Sequence, residues 1–229
     1  LLCELERLHS HLLWLGVLAE AIGFSTIFMY AWREREHVLD LMEMISGGRI
    51  AHGANVIGGV REDLSPDQID AARERLQGLR AHLSIFVDLV ERDRSFHQRT
   101  QGIGHLTLDT ARAYGVVGPI ARASGSTMDI RRDAPYAAYK WLNVPVATTG
   151  GGDVLARAWT RVEEIRHSVA LCEQLLVDVP DGPLSIRMPR RVPAGEAITR
   201  VEAPRGELFY YVRSDGTDST ARVHVRTPT

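Results

Sequence analysis

The first 32 residues, LLCELERLHSHLLWLGVLAEAIGFSTIFMYAW, constrain this chain most. Apolar residues recur at Leu1, Leu5, Leu8, Leu12, Leu15, Ala19 and Ile22, in alternating steps of four and three that hold one stripe on a helix. Glu4, Arg7 and His11 lie beside that stripe at i, i+3 and i+7, so a helix places them on one neighbouring face. From Leu12 to Trp32 the pattern is apolar nearly all round, which predicts a helix through the middle of a bundle rather than along its surface. A charged strip on such a helix is buried. It is therefore either a salt-bridged structural trio or a place where protons and charge are handled.

Two further stripes make the bundle. Ser65-Pro66-Asp67-Gln68 reads as a capping box with proline in the first turn, followed by Ile69, Ala72, Leu76, Leu79, Leu83, Phe86 and Val90, to an end near Arg94. Asp153 is placed to cap a helix with Leu155, Ala158, Val162, Ile165, Val169, Cys172 and Leu176 inward, ending before Pro180. A shorter helix with Val38, Leu41, Met42 and Ile45 inward is expected after the Arg-Glu-Arg-Glu run at 33–36 and should stop at Gly47-Gly48. Residues 49–64 read as irregular. Residues 95–150 are rich in Gly, Pro and aromatics, with a short helix at 107–113, and a segment of that length without regular structure is commonly functional. From Leu184 the period shortens. LSIRM, AITRVEA, ELFYYVRS and ARVHVRT read as strands of a small antiparallel sheet, with Asp215-Gly216 as a hairpin turn. The expected fold is mainly α: an antiparallel long-helix bundle over 1–180, with the irregular Gly/Pro segment 95–150 packed on it, and a small C-terminal antiparallel β appendage over 181–229.

Composition excludes several classes. The net charge of −2 and the lack of a basic face argue against a nucleic-acid partner. Glu20 sits in the long apolar run, where a mid-bilayer carboxylate is expensive, so that run is not expected to span a membrane. Cys3 and Cys172 both fall in helical apolar patterns and read as reduced core residues of a cytosolic or cytosol-facing protein. Gly102-Ile103-Gly104 lacks the third glycine and the preceding strand of a dinucleotide fingerprint, so the chain should not bind NAD(H) itself. There is no GxSxG nucleophile elbow. His9 and His11 point apart on a helix and cannot chelate one metal together. A first residue in mid-helix, without methionine, suggests a piece of a longer polypeptide.

Four stretches stand out: ELERLHSHLLWLG with FMYAWREREHVLDLMEMISGGRI; GPIARASGSTMDIRRDAPYAAY; GDVLARAWTRVEEIRHS; and EAPRGE. They resemble the large-subunit family shared by the catalytic-core subunit of NADH–quinone oxidoreductase (complex I) and the large subunits of membrane-bound, energy-converting nickel–iron hydrogenases. The resemblance covers essentially the whole chain. It implies a core subunit of a respiratory oxidoreductase, peripheral on the cytoplasmic side of the cell membrane. The implied partners are a small iron–sulfur subunit, other peripheral-arm subunits and a membrane-arm subunit. It also implies electron flow to quinone or to protons, with iron–sulfur clusters in partner subunits.

The hydrogenase relatives hold nickel and iron with two CxxC motifs, and neither motif occurs here. No metal or other cofactor is expected on this chain. The complex I relatives carry an aspartate where alignment on the IGF segment places Ala21, and an alanine cannot shuttle a proton. That departure and the short connection between Pro183 and Glu202 favour the hydrogenase-like branch. The charged residues of the shared stretches are Glu4, Arg7, His11, Arg122, Asp129, Arg131, Arg157, Arg161, Glu202, Arg205 and Glu207. They are either buried ion pairs or lining of a redox cavity and its proton path. Arg205 is the first candidate, because a guanidinium keeps its charge beside a reducing centre. Glu4 and His11 follow as proton-relay candidates, with Arg7 and Glu202 beside them. The alternative function is a non-catalytic assembly module of such a complex.

Overall fold

The computed structural model describes residues 1–189 and 191–228. The chain is mainly helical. Helices α1 (Leu2–Ala21), α2 (Ser25–Ser46), α3 (Pro66–His82), α4 (Ser84–Arg92) and α9 (Val154–Leu175) enclose one apolar core. The α1 stripe is fully sequestered at Leu5, Leu8, Leu12, Leu15 and Ala19, and α1 packs against both α2 and α9.

The chain breaks earlier than the apolar pattern implied. The first helix ends at Ala21, and α2 starts at Ser25 and runs straight through the Arg-Glu-Arg-Glu stretch. Gly23 sits at φ +85 in the intervening turn, a conformation that L side chains rarely adopt, and this lets α2 fold back against α1. The charged run causes no break, because Glu34 and Arg35 are themselves buried and paired: Arg33 donates to Glu34, and Arg35 donates to His9. Gly47 ends α2 in the left-handed conformation, as expected.

The capping box at Ser65 and Gln68 is formed in both directions. The helix it opens is interrupted at Leu83, where α4 begins, and Asp93 caps a further short helix, α5 (Arg94–Thr100). Residues 49–64 hold a two-stranded hairpin, β1 (Asn55–Val56) with β2 (Gly59–Val60). The irregular segment is ordered by short helices: α6 (Leu108–Ala113), capped by Thr107; α7 (Gly118–Ala123); α8 (Ile130–Asp133), capped by Asp129; and a 3-10 turn at Ala137–Trp141. Asp153 caps α9 by accepting from Ala156 N and also accepts from Gly102 N at 2.7 Å, so it ties the loop to the helix.

The C-terminal sheet is antiparallel in the order β3 (Gly195–Ala203), β4 (Gly206–Ser214), β5 (Thr220–Arg226). The LSIRM stretch is not part of it; Ser185 instead bridges to Gly59. Most of this sheet is exposed, including Ile198, Val223 and Val225. Only the turn end of the β3–β4 hairpin, with Glu202 and Gly206, enters the body of the protein. Cys172 is buried but Cys3 is exposed, which corrects the expectation that both sit in the core. Among the described residues, no helix is long and apolar enough to cross a membrane.

Candidate functional site

Where α1, α7, α8, α9 and the β3 end converge, the core turns ionic. Glu4, Arg7, Arg122, Asp129, Arg131, Glu164 and Glu202 are each at most 4% exposed. Spacing on two helices supplies the frame: Glu4 and Arg7 on α1 face Glu164 and Ser168 on α9. The irregular segment supplies the counter-cations. Arg122 donates from Nε to Glu164 and from Nη1 to Glu202, both at 2.8 Å. Arg131 donates to Asp129 at 2.7 Å and to Glu4 at 3.0 Å. Arg7 closes the ring: it donates to the Glu202 carbonyl at 2.9 Å and lies 3.7 Å from Glu4 and 3.6 Å from Glu164. Glu4 also accepts from Tyr139 OH at 2.5 Å and from Ser168 Oγ at 2.6 Å. Glu202 accepts further from Ile130 N at 3.1 Å.

Two glycines let the β3–β4 turn reach this network. Gly118 has φ +67, and a Cβ there would stand 2.2 Å from the Arg205 carbonyl oxygen. Gly206 has φ +128 and meets Gly118 N and Cα in the same contact. The backbone of EAPRGE thus lies directly on the start of α7, and that places Glu202 beside Arg122.

Burial raises the pKa of every acid here, and local cations decide the outcome. At Glu4, burial is outweighed by Arg7 and Arg131 together with the Ser168 and Tyr139 hydrogen bonds, so its pKa lies below the ordinary carboxylate value. Glu164 is held well below it, with Arg122 and His11 overcoming burial. Burial, reinforced by the Asp129 charge, instead pushes Glu202 up despite Arg122. Glu202 is therefore the member that most readily takes a proton. Burial and then the Glu4 charge raise the Tyr139 hydroxyl, which stays a donor.

His11 lies 2.7 Å from Glu164, within ion-pair distance, yet burial lowers its pKa to about 4 despite that carboxylate, with Arg7 and Arg161 adding to the effect. The contact is therefore a neutral imidazole N–H donating to a carboxylate. An exposed histidine titrates at 6.5, so the unfolded chain takes up a proton that the folded chain refuses, and stability falls as pH drops from about 6.5 toward 4. By about pH 5 the loss should reach roughly 2 kcal/mol. His11→Gln should remove that part of the slope between about pH 7 and 5, read from urea midpoints. Parallel slopes in both proteins would assign the effect to other groups.

The structure thus brings Glu4, Arg7, His11 and Glu202 together, with Arg122, Asp129 and Arg131. It leaves Arg205 out: that side chain is exposed at the β3–β4 turn, on the rim of a groove with Trp14 and Arg161. Arg157 donates to the Gly104 and Gly152 carbonyls, and Glu207 lies 3.5 Å from Arg200. The residue that sequence reasoning missed is Glu164, which binds Arg122 and His11 and yet was not among the candidates. Its place in GDVLARAWTRVEEIRHS, three after Arg161 and four before Ser168, was the available signal. Tyr139, which donates to Glu4, is likewise absent from the candidates.

Among the described residues there is no set of thiolates for a nickel–iron centre. The two cysteines are single and free, and burial pushes the Cys172 thiol up, away from the thiolate a metal needs. Nor, among those residues, is any cluster of three His, Cys, Asp or Glu side chains arranged to hold a metal.

A long-helix bundle clasping a buried arginine–carboxylate network defines the chain as a mainly helical core module. The family model described as respiratory-chain NADH dehydrogenase, 49 Kd subunit, matches residues 21–192 and 185–229. The chain is 42% identical to a subunit of the F(420)H(2) dehydrogenase of Methanosarcina mazei, over 98% of this chain and 62% of that protein. It is 40% identical to a carbon monoxide-induced hydrogenase of Rhodospirillum rubrum, over 99% of this chain and 63% of that one. It is 38% identical to a subunit of the NADH-quinone oxidoreductase of Sinorhizobium medicae, over 100% and 63%. Among solved structures, a chain of the membrane-bound sulfane sulfur reductase, an archaeal respiratory membrane complex, superposes with a TM-score of 0.92 at 32% identity, over 98% of this chain and 63% of that chain. The chain belongs to the 49 kDa subunit family of respiratory-chain NADH dehydrogenase. It spans less than two thirds of the length of these relatives.

Proposed function

We propose that this chain forms the core of the large subunit of a membrane-associated oxidoreductase complex. It packs against a small iron–sulfur subunit that delivers electrons one at a time, alongside other peripheral-arm subunits and a membrane-arm subunit. Electrons pass to protons or quinone at a site bordering this chain, on the cytoplasmic side of the cell membrane.

One observation carries this reading: nearly the whole chain aligns with subunits of complexes whose names specify F(420)H(2), a carbon monoxide-induced hydrogenase, NADH–quinone and sulfane sulfur chemistry. A segment common to complexes with different named substrates suits the step they share, in which electron arrival is coupled to charge and proton movement within a rigid frame. The buried network is such a frame, and Glu202, with its raised pKa, is its proton-accepting member. Between the two acceptors, Ala21 at the end of α1 favours protons, because a quinone-directed site would call for a carboxylate there.

The test is to purify the complex from its native membranes through a tag on this polypeptide. The expected result is a co-purifying iron–sulfur protein, with electron transfer to protons or to a quinone analogue. A chain that purifies alone overturns the proposal. An assembled complex inactive with both acceptors leaves the assembly-module reading in its place. In the active complex, Arg205→Lys is expected to lower turnover with assembly intact, since an ammonium does not replace the guanidinium fork. Unchanged turnover would remove Arg205 from the site.

A further inference from the structure

On α9 a buried cation stands outside the network and, among the described residues, without a carboxylate. Arg161 on α9 is 4% exposed, and its guanidinium carbon lies 3.8 Å from the centre of the Trp14 ring. Among the described residues its hydrogen bond is to the Arg157 carbonyl, at 3.1 Å, and no carboxylate oxygen comes within 4.0 Å of it. Arg7, Arg122 and Arg131, equally buried, each meet at least two carboxylates. Glu164 is the acid nearest in charge effect, and it is already engaged by Arg122, His11 and Arg7. A buried guanidinium without an anion is costly, and proteins rarely leave one so. Burial accordingly lowers the Arg161 pKa to about 10.

Arg161 lines an open groove of about 610 Å³ between α1, α9 and the β3–β4 turn. Arg205 stands on the rim, and Trp14, Val17, Pro204 and Leu208 supply apolar walls. Glu6 also borders the groove but lies 3.3 Å from His52. A small free anion would neutralise Arg161 and leave those apolar walls in water. A carboxylate carried between apolar side chains on a polypeptide covers both.

We infer that this groove is the docking site for an acidic segment of a partner polypeptide, whose carboxylate pairs with Arg161 while its flanking apolar side chains cover Trp14 and Val17. The inference rests on the chain being one subunit of a larger complex. It adds which surface meets the partner and which chemistry the partner presents.

The sign of two substitutions tests it. Arg161→Met removes the cation but keeps an apolar stem over Trp14. Val17→Glu places a carboxylate in the groove from the exposed side of α1. Each is expected to raise the Tm of the separate chain by about 2–4 °C, because each relieves an unpaired buried charge. Each is also expected to reduce the amount of chain migrating with the native complex about tenfold or more. Val17→Lys serves as the control and should not raise Tm. If Arg161→Met fails to fold, Val17→Glu decides by itself. A Tm that falls or stays level in the deciding variant shows that Arg161 is already satisfied, and overturns the docking site. So does assembly equal to that of the unsubstituted chain. If the unsubstituted chain itself joins no complex, the subunit reading has failed instead and takes this inference with it.

Discussion

Arg122→Met is expected to cost about 3–5 kcal/mol, enough to bring a protein of ordinary stability close to unfolding. The reason lies in what the substitution leaves behind. Arg122 is the shared partner of Glu164 and Glu202 and lies 3.6 Å from Asp129. Removing it strands acids that have no water to return to, and the penalty for an uncompensated buried charge exceeds the worth of the pair itself. Arg122→Lys should cost less, about 1–3 kcal/mol, because one ammonium cannot span from Glu164 to Glu202. Urea denaturation of the three proteins at neutral pH decides the matter. A loss under about 1 kcal/mol for Arg122→Met would mean that the network relaxes or admits water, and that its charges are less buried than the geometry indicates.

Gly118→Ala should be the second large effect, at about 2–5 kcal/mol. Part of that cost is the left-handed backbone, and the larger part is the 2.2 Å approach of the new Cβ to the Arg205 carbonyl. Gly47→Ala separates the two contributions. Gly47 has φ +71 with nothing within 4 Å of the added atom, so it should lose only the conformational part, about 1 kcal/mol. If the two substitutions cost the same, the hairpin can move away from α7 without loss, and the seating of Glu202 against Arg122 is soft. If Gly118→Ala is far worse, the turn is locked. Glu202, the network acid most ready to take a proton, is then held on a rigid element, as the proposed role in coupling requires.

Much of this architecture is written locally. The stripes of α1, α3 and α9, the capping box at Ser65, the Asp153 cap and the Gly47 stop depend on spacing within a few residues, and the structure follows them. The grouping of Glu4, Arg7 and His11 is equally local, since i, i+3 and i+7 share a face wherever a helix forms. The break at Gly23 is not legible in the sequence, because an apolar run has no mark for its own fold-back. A buried helix turns where a residue tolerates positive φ, and the charged run continues the helix because Glu34 meets His82 on α3 and Arg35 meets His9 on α1.

The site divides in the same way. By itself, the sequence determined that charged residues must be buried on the first helix and that four stretches belong to one family of subunits. Which acid meets which arginine was decided only by the tertiary structure. Glu4 and Arg131 are 127 positions apart, Arg122 and Glu202 are 80 apart, and no periodicity reaches across such distances. Arg205 illustrates the limit. It shares a short motif with Glu202, yet a strand alternates its sides and a turn faces outward, so one enters the network and the other stays on the groove rim. Ion pairing in a low-dielectric interior is a property of the assembled space, because its strength depends on excluding water from every side at once.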